Sequence, residues 1–512
     1  MKKALAILLA GVMALGVTAC GAAPAASAPA AGSEPAAEAE ASAPAEDGSY
    51  DKIVLVMRTS SALPTDEGRH QVEEELNKIL REKIGAEIEL QIIAQSSYAQ
   101  QLTLMLSGAE QVDIALMSGS NLITAIGADQ LRDIQPLLDQ YAQPIYDLVG
   151  EELFACGNFG GVQYGIPSMT EGGQGMGLIL MRKDLVEKYG LDLSKVEKLD
   201  DLTEIYQTIH DNEPGMNCIG TGPNSAPIVY NNSWDQLGSV FGVLPNYAQD
   251  EPLKVVNVFE TEDYKYFCDT MHKWYEMGFI SPDVTNEADS VNAQMAAGTL
   301  FSQFNANKPG IEAQVESGAQ HELVGVQTLT TLMKSETAGI WTIPENAKNP
   351  EKAVQFLVEL YTNPDVLNLL AYGVEGVDYT VREDGRIGYP EGLDAATVPY
   401  CMMNMIWAMG YQYNGLVWET NDPDIWEQTL AWRESSLRSK AYGFIFNPAP
   451  VSNELAACQN VYDQYKLSIE CGVVDPEPAI AQMNEELYAA GLQTVIDEKQ
   501  AQLDAWLALK GN

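Results

Sequence analysis

Between residues 52 and 117 the chain alternates in a way that leaves few folds open to it. Lys52-Ile53-Val54-Leu55-Val56-Met57 is a short apolar run of buried-strand type, and Val72, Leu76, Ile79, Leu80 and Ile84 then recur at helical spacing. Gly85 follows, where a left-handed C-terminal cap is usual. Glu87-Ile88-Glu89-Leu90-Gln91-Ile92 alternates polar and apolar side chains, the pattern of a half-buried strand. Residues 98–106 read as a second helix and Val112-Asp113-Ile114-Ala115-Leu116-Met117 as a third strand. Strand, helix and strand in this order make a βαβ unit with a right-handed crossover over a largely parallel sheet. Ligands of such sheets gather beyond the carboxyl ends of the strands. That marks Ser118-Gly119-Ser120-Asn121 as a ligand-facing loop, with Ser118 and Asn121 as candidate contacts.

The body after residue 49 is much longer than one hydrophobic core supports, so at least two lobes are expected. Gly160-Gly161-Val162-Gln163-Tyr164-Gly165-Ile166-Pro167 leads into the apolar strand Leu178-Ile179-Leu180-Met181-Arg182 and reads as a crossing between lobes. Gly172-Gly173-Gln174-Gly175-Met176-Gly177 lacks the GxGxxG register and precedes a strand, so it is a connection rather than a dinucleotide loop. Residues 185–190, 199–209 and 261–277 look helical, the last with Phe267, Met271 and Trp274 on one face. Asn349-Pro350-Glu351 and Asn363-Pro364-Asp365 each place Asn at an N-cap, Pro in the first turn and an acid near the positive end of the dipole. Helices to Tyr361 and Tyr372 should follow, the second closed by Gly373. Asp384-Gly385 predicts a two-residue hairpin, and the last quarter is mainly helical, with Ile480, Met483 and Leu487 on one face and Leu503, Trp506 and Leu507 on another.

The N-terminus constrains location. Lys2 and Lys3, an uncharged run from Ala4 to Gly16, and Val17-Thr18-Ala19-Cys20 make a secretory signal too short to span permanently, ending in a lipobox. Residues 1–19 are then a signal peptide, and Cys20 carries two or three lipid chains, since one alone binds membranes only marginally. A plain signal with an incidental cysteine is the competing reading. Residues 20–49 are largely Ala, Pro, Ser, Gly and Glu, which cannot bury a core and form a disordered spacer. No later run reaches membrane-spanning length. Losing Lys2 and Lys3 leaves 27 of 29 basic residues against 72 acids, a net charge of about −45. Such a surface repels nucleic acid and anionic headgroups and favours neutral or cationic ligands. Cys156, Cys218, Cys268, Cys401, Cys458 and Cys471 show no CxxC spacing, and both disulfides and buried free thiols are compatible with them.

Enzyme signatures are missing from the sequence. His70, His210, His272 and His321 form neither HExxH nor HxxxH, and there is no GxSxG or P-loop, so no metal site, cofactor or catalytic residue is assigned. With 72 acids, carboxylate pairs arise by chance and carry no glycosidase signal. Aromatic residues are more informative. Trp234 lies in Asn231-Asn232-Ser233-Trp234-Asp235-Gln236, Trp407 precedes Met409-Gly410-Tyr411-Gln412, and Trp418 precedes Glu419. Rings in such polar surroundings suit sugars, whose C–H faces pack on aromatics while planar polar side chains bond the hydroxyls.

Asp113-Ile114-Ala115, Tyr164-Gly165-Ile166-Pro167, Ala296-Ala297-Gly298, and the run from Trp341-Thr342-Ile343-Pro344 through Tyr372-Gly373-Val374-Glu375-Gly376-Val377-Asp378-Tyr379 resemble family 1 extracellular solute-binding proteins, the lipoprotein receptors of ABC importers. Tyr442-Gly443-Phe444-Ile445-Phe446, Asp475-Pro476 and Ala490-Gly491-Leu492 are similar to the extra helical domain of the LipO-like subgroup. Where that subgroup has tryptophan, glycine, asparagine and glutamine, this chain has Gly410-Tyr411-Gln412. The resemblance implies a two-lobed α/β fold of periplasmic-binding-protein type (class II) with a helical C-terminal extension. One lobe is expected at 50–168 plus 283–308, the other at 169–282 plus 309–512. It implies a monomer that captures a carbohydrate, such as an oligosaccharide, by hinge closure and delivers it to membrane permease subunits. Trp234, Trp407, Glu375, Tyr379, Ser118, Asn121, Trp418 and Glu171 are the expected ligand contacts. A tethered glycan-cleaving enzyme and a receptor feeding a membrane sensor kinase are the alternatives.

Overall fold

The computed structural model describes residues 49–60, 62–171 and 175–510. The signal peptide, nearly all of the spacer, Cys20 and Gly172-Gly173-Gln174 lie outside the described residues. The described residues form one compact unit.

The first sheet runs Ala86–Ala94, Asp51–Thr59, Ile114–Met117, Ile340–Thr342, Gly165–Pro167. Its first three strands are parallel, with Lys52 opposite Glu87 and Met57 opposite Ile92, and the helices Asp66–Lys83 and Gln95–Ser107 cross between them. The βαβ expectation from local periodicity therefore matches the structure. Thr65 caps the first helix through its side chain, and Gly85 takes the left-handed conformation (φ +64°) after it. Asp113 ties this lobe together: one carboxylate oxygen accepts Val54 N at 2.8 Å, the other Lys348 N at 2.8 Å and Asn349 N at 3.0 Å. The carboxylate thus sits at the positive end of the helix Pro350–Thr362. This corrects the expected cap, because Asn349 makes no side-chain cap bond and donates instead to Lys52 O at 2.8 Å. Asn363 does cap its helix, Pro364–Tyr372, by accepting from Asp365 N.

The second sheet runs Leu323–Gln327, Gly175–Arg182, Leu300–Asn307, Asn217–Ile219. Its pairing corrects the expected lobe boundaries. Leu300–Asn307 was placed in the first lobe but pairs antiparallel with Gly175–Arg182 and parallel with Asn217–Ile219. Ile340–Thr342 was placed in the second lobe but lies inside the first sheet, and Phe356, Leu357, Leu360, Leu367 and Leu370 share a core with Leu55 and Leu76. Residues 300–304 and 340–342 are buried on both faces, so periodicity does not say which sheet they join.

Around the second sheet Tyr206 meets Trp274, Phe279 and Phe301 edge-on. The helices Ser452–Glu470, Pro476–Ala489 and Leu492–Lys510 pack onto the same core through Ile480, Met483, Leu487, Val495 and Leu503. At about 1.5–3 kcal/mol for each fully buried side chain, these residues dock the extension as part of the lobe. All six body cysteines are free thiols. The Asp384-Gly385 hairpin joins Thr380–Val381 to Ile387–Gly388, with Gly385 at φ +85°.

Candidate functional site

A cleft of about 910 Å³ opens between the two sheets. Ser118, Gly119, Ile123 and Thr124 line it from the first lobe, where Ser118 precedes the helix Gly119–Gly127. The expected loop at 118–121 is thus the first turn of that helix. The second lobe contributes Gln236, Leu237, Gly238, Ser239 and Phe241, together with Phe444, Ile445, Phe446 and Pro448. The floor is the crossing segment 334–339, beside Ser168 and Thr170 of the crossing after Gly165–Pro167.

Behind that floor the crossings are locked by a buried ion pair. The Arg433 guanidinium grips Glu336 with both arms, at 2.5 and 3.0 Å, and both side chains are under a tenth exposed. Thr170 donates to the same carboxylate through N (3.1 Å) and Oγ1 (2.9 Å), and Tyr442 through its hydroxyl (2.5 Å). Arg433 also reaches Thr170 O at 3.1 Å. A buried charge is tolerated when its lone pairs and protons are engaged, and here they tie the two crossings at Thr170 and Glu336 to the helix Ile425–Ser435 and to Tyr442. Burial pushes the Tyr442 phenol well up and the Cys156 thiol, beside Glu336 N, up to about 12. Neither ionises near neutrality.

The loop from Asp235 is fixed from two sides. Asp235, 5% exposed, accepts Leu237 N at 3.1 Å and Ser439 Oγ at 2.7 Å. Lys499 reaches in from the last helix to Gln236 O, Ser239 O and Gly242 O. Lys334, held down from its usual value by burial and opposed by Asp235, donates to Asn232 Oδ1. Each charged side chain lining the cleft, Asp235, Lys334 and Glu336, therefore already has partners within the protein.

The sequence-derived contacts distribute unevenly. Ser118 lines the cleft. Trp407 is half-buried at its edge: Arg58 lies 5.8 Å from its ring, and a Cβ on the floor residue Gly339 would come within 3.6 Å of it. Trp234 does not face the cleft; it is 5% exposed within the second-lobe core. Its polar neighbours are themselves buried and bonded, Asn232 to Ile228 O and Ser233 to Asp263, which is why a polar stretch misled. Glu375, Tyr379 and Trp418 also lie away from the lining. Glu375 is exposed on the turn after Gly373, Tyr379 is buried, and Trp418 stacks on Tyr372 (6.3 Å) and meets Tyr389 edge-on (4.6 Å). Asn121 is half-buried outside the lining, and Glu171, next to Thr170, pairs with Lys308 at 3.0 Å. Sequence reading missed Asp235, Glu336, Arg433 and Lys499. A signal existed for the two cations, because Arg433 and Lys499 fall on helix faces shared with Thr429 and with Val495, Ile496 and Leu503.

Two α/β lobes joined by crossing segments around a ligand-sized cleft define the two-lobed fold of a solute-binding protein. The chain belongs to the bacterial extracellular solute-binding protein family, whose profile matches residues 71–366. Residues 440–508 match a domain of unknown function. A carbohydrate ABC transporter substrate-binding protein of Streptococcus pneumoniae is 27% identical over 449 residues, covering 85% of this chain and 87% of the relative. The fold matches the crystal structure of an N-glycan transport solute binding protein from the same species with a TM-score of 0.76 at 24% identity, over 90% of this chain and 100% of that one. Complexes of that protein with Man1GlcNAc and Man5GlcNAc, each covering 90% of this chain and 99% or more of that one, match at 0.65 (24% identity) and 0.63 (25%). Among the described residues, no helix is long and apolar enough to cross a membrane.

Proposed function

We propose that this chain is the substrate-binding lipoprotein of an ABC importer and captures an oligosaccharide between its lobes. The observation that carries this reading is the cleft itself. It is lined from both lobes, and its charged side chains are already engaged, which leaves hydroxyls, amides, backbone and apolar rings to meet a neutral, polyhydroxylated ligand. The carbohydrate-binding relative and the glycan complexes of the structural neighbour support the same class. A ligand touching both lobes binds the closed form better and shifts the population toward it, and permease subunits can read that shape.

The binding reading excludes turnover: oligosaccharides bound by the protein should be recovered uncleaved after long incubation. The anchor at Cys20 holds the monomer at the outer face of the membrane, so Cys20→Ala should release it or leave its precursor unprocessed. The primary test is a thermal-shift screen of oligosaccharides and peptides. A true ligand at 100 times its dissociation constant adds about 2.7 kcal/mol of stability. Shifts confined to peptides would overturn the carbohydrate assignment.

A further inference from the structure

Lys499 is fully buried in the helix Leu492–Lys510, and among the described residues no carboxylate lies within ion-pair distance of it. Its ammonium instead faces four oxygens of one loop: Gln236 O at 3.0 Å, Ser239 O at 2.8 Å, Ser239 Oγ at 3.1 Å and Gly242 O at 2.7 Å. The Phe446 ring stands 5.2 Å from the nitrogen. Beside it, Gln500 accepts Val255 N at 2.7 Å and donates to Leu253 O at 3.1 Å, so the helix is fastened to the lobe on both sides of the lysine.

The loop so held is strained. Leu237 sits at φ +47°, a left-handed conformation costly for a residue with a side chain, between Asp235 and Gly238 at φ +91°. Such conformations persist only where the surroundings over-determine them. The same loop presents Gln236, Leu237, Gly238, Ser239 and Phe241 to the cleft.

We propose that Lys499 is a positioning residue for the ligand cleft, its ammonium holding residues 236–242 in the conformation that forms the second-lobe wall. This gives the C-terminal region a part in ligand recognition, and it rests on the reading of the cleft as the ligand site. The charged groups facing Lys499 are few. Asp235 on the loop favours the ammonium, and Lys334 shares that carboxylate's field. Burial pushes Lys499 down to about 7, against the opposing pull of Asp235. The ammonium offers three donors to these oxygens, whereas an amine without its proton offers two and loses the charge that strengthens each bond.

The test uses the full chain as wild type, Lys499→Met and Leu503→Ala, the last removing a fully buried apolar side chain on the same helix face, which offers the loop no hydrogen bond. Amide hydrogen exchange of the unliganded proteins reads Leu237, Ser239, Val243 and Leu244, whose N–H groups bond within this region. Lys499→Met should speed their exchange at least about tenfold over Leu503→Ala. Titration with Man5GlcNAc, or with whichever glycan shifts the wild type, should show an affinity loss of at least about tenfold for Lys499→Met and little for Leu503→Ala. Wild-type affinity should fall between pH 6 and 9 while that of Lys499→Met stays flat. If the Met variant does not fold, loop protection in the wild type over that range, measured against the strand Ile114–Met117, decides the matter. Equal loop exchange in the two variants, or a loosened loop with unchanged affinity, would overturn the proposal. A wild type that binds no glycan would instead remove the carbohydrate reading, and loop exchange alone would then decide the clamp.

Discussion

Arg433 and Lys499 are both buried cations, but they are held in opposite ways. Arg433 meets a carboxylate with a fork of two bonds and joins the two crossings at Glu336 and Thr170 behind the cleft floor. Lys499 meets only carbonyl and hydroxyl oxygens of a single loop. The guanidinium keeps its proton at any working pH and matches carboxylate geometry, whereas an ammonium shifts readily when buried. The crossings behind the cleft are thus held by the pH-insensitive arrangement and the second-lobe wall of the cleft by the labile one. Glu470 belongs with Lys499. It is 2% exposed, accepts the hydroxyls of Tyr264 (3.0 Å) and Tyr462 (2.7 Å), and has no cation within ion-pair distance among the described residues.

The largest effect should come from breaking the paired site. Arg433→Met leaves Glu336 buried and uncompensated, and denaturant unfolding should show a loss of about 3–5 kcal/mol. A loss near zero would mean that the pair does not hold the crossings together.

Glu470 sharpens the contrast through pH. Burial raises its carboxyl from 4.5 to about 7, so its contribution to stability is complete below the unfolded value and is lost as pH rises through the folded one. Stability should decline by roughly 2–3 kcal/mol from this group between pH 4.5 and 7. Glu470→Gln should flatten that part of the profile. Lys499 runs the other way: its folded value is depressed, so its contribution is present above the unfolded value and lost as pH falls toward 7. Lys499→Met, which has no group to titrate there, should remove the rise of stability with pH above 7 in thermal unfolding.

The smallest effect separates two tryptophans. Trp407→Ala, at the cleft edge, should weaken glycan binding by about 1.4 kcal/mol, or tenfold, with little loss of stability. Trp234→Ala should instead destabilise the fold and leave the affinity of the folded molecules unchanged, as expected for a ring within the core.

These residues also show how far the sequence could be read. The first βαβ unit was legible because its signals are local: the helical spacing of Val72, Leu76 and Leu80, and Gly85 after them. The sheet assignments of Leu300–Asn307 and Ile340–Thr342 were not, because pairing between distant strands leaves no trace in the period of either one. Trp234 looked exposed because Asn231, Asn232 and Ser233 are polar, but all three are buried. Ser118 emerged from a general rule about strand ends. Glu336 and Asp235 sit in loops whose folded partners, Arg433 and Ser439, lie 97 and 204 residues away, beyond what spacing reveals.

Capture between lobes is tested most directly by small-angle X-ray scattering, with and without a saturating oligosaccharide identified by the thermal-shift screen. Hinge closure predicts a smaller radius of gyration in the complex, with the population shifted as the sugar is titrated. An unchanged radius at full occupancy would contradict closure on the ligand.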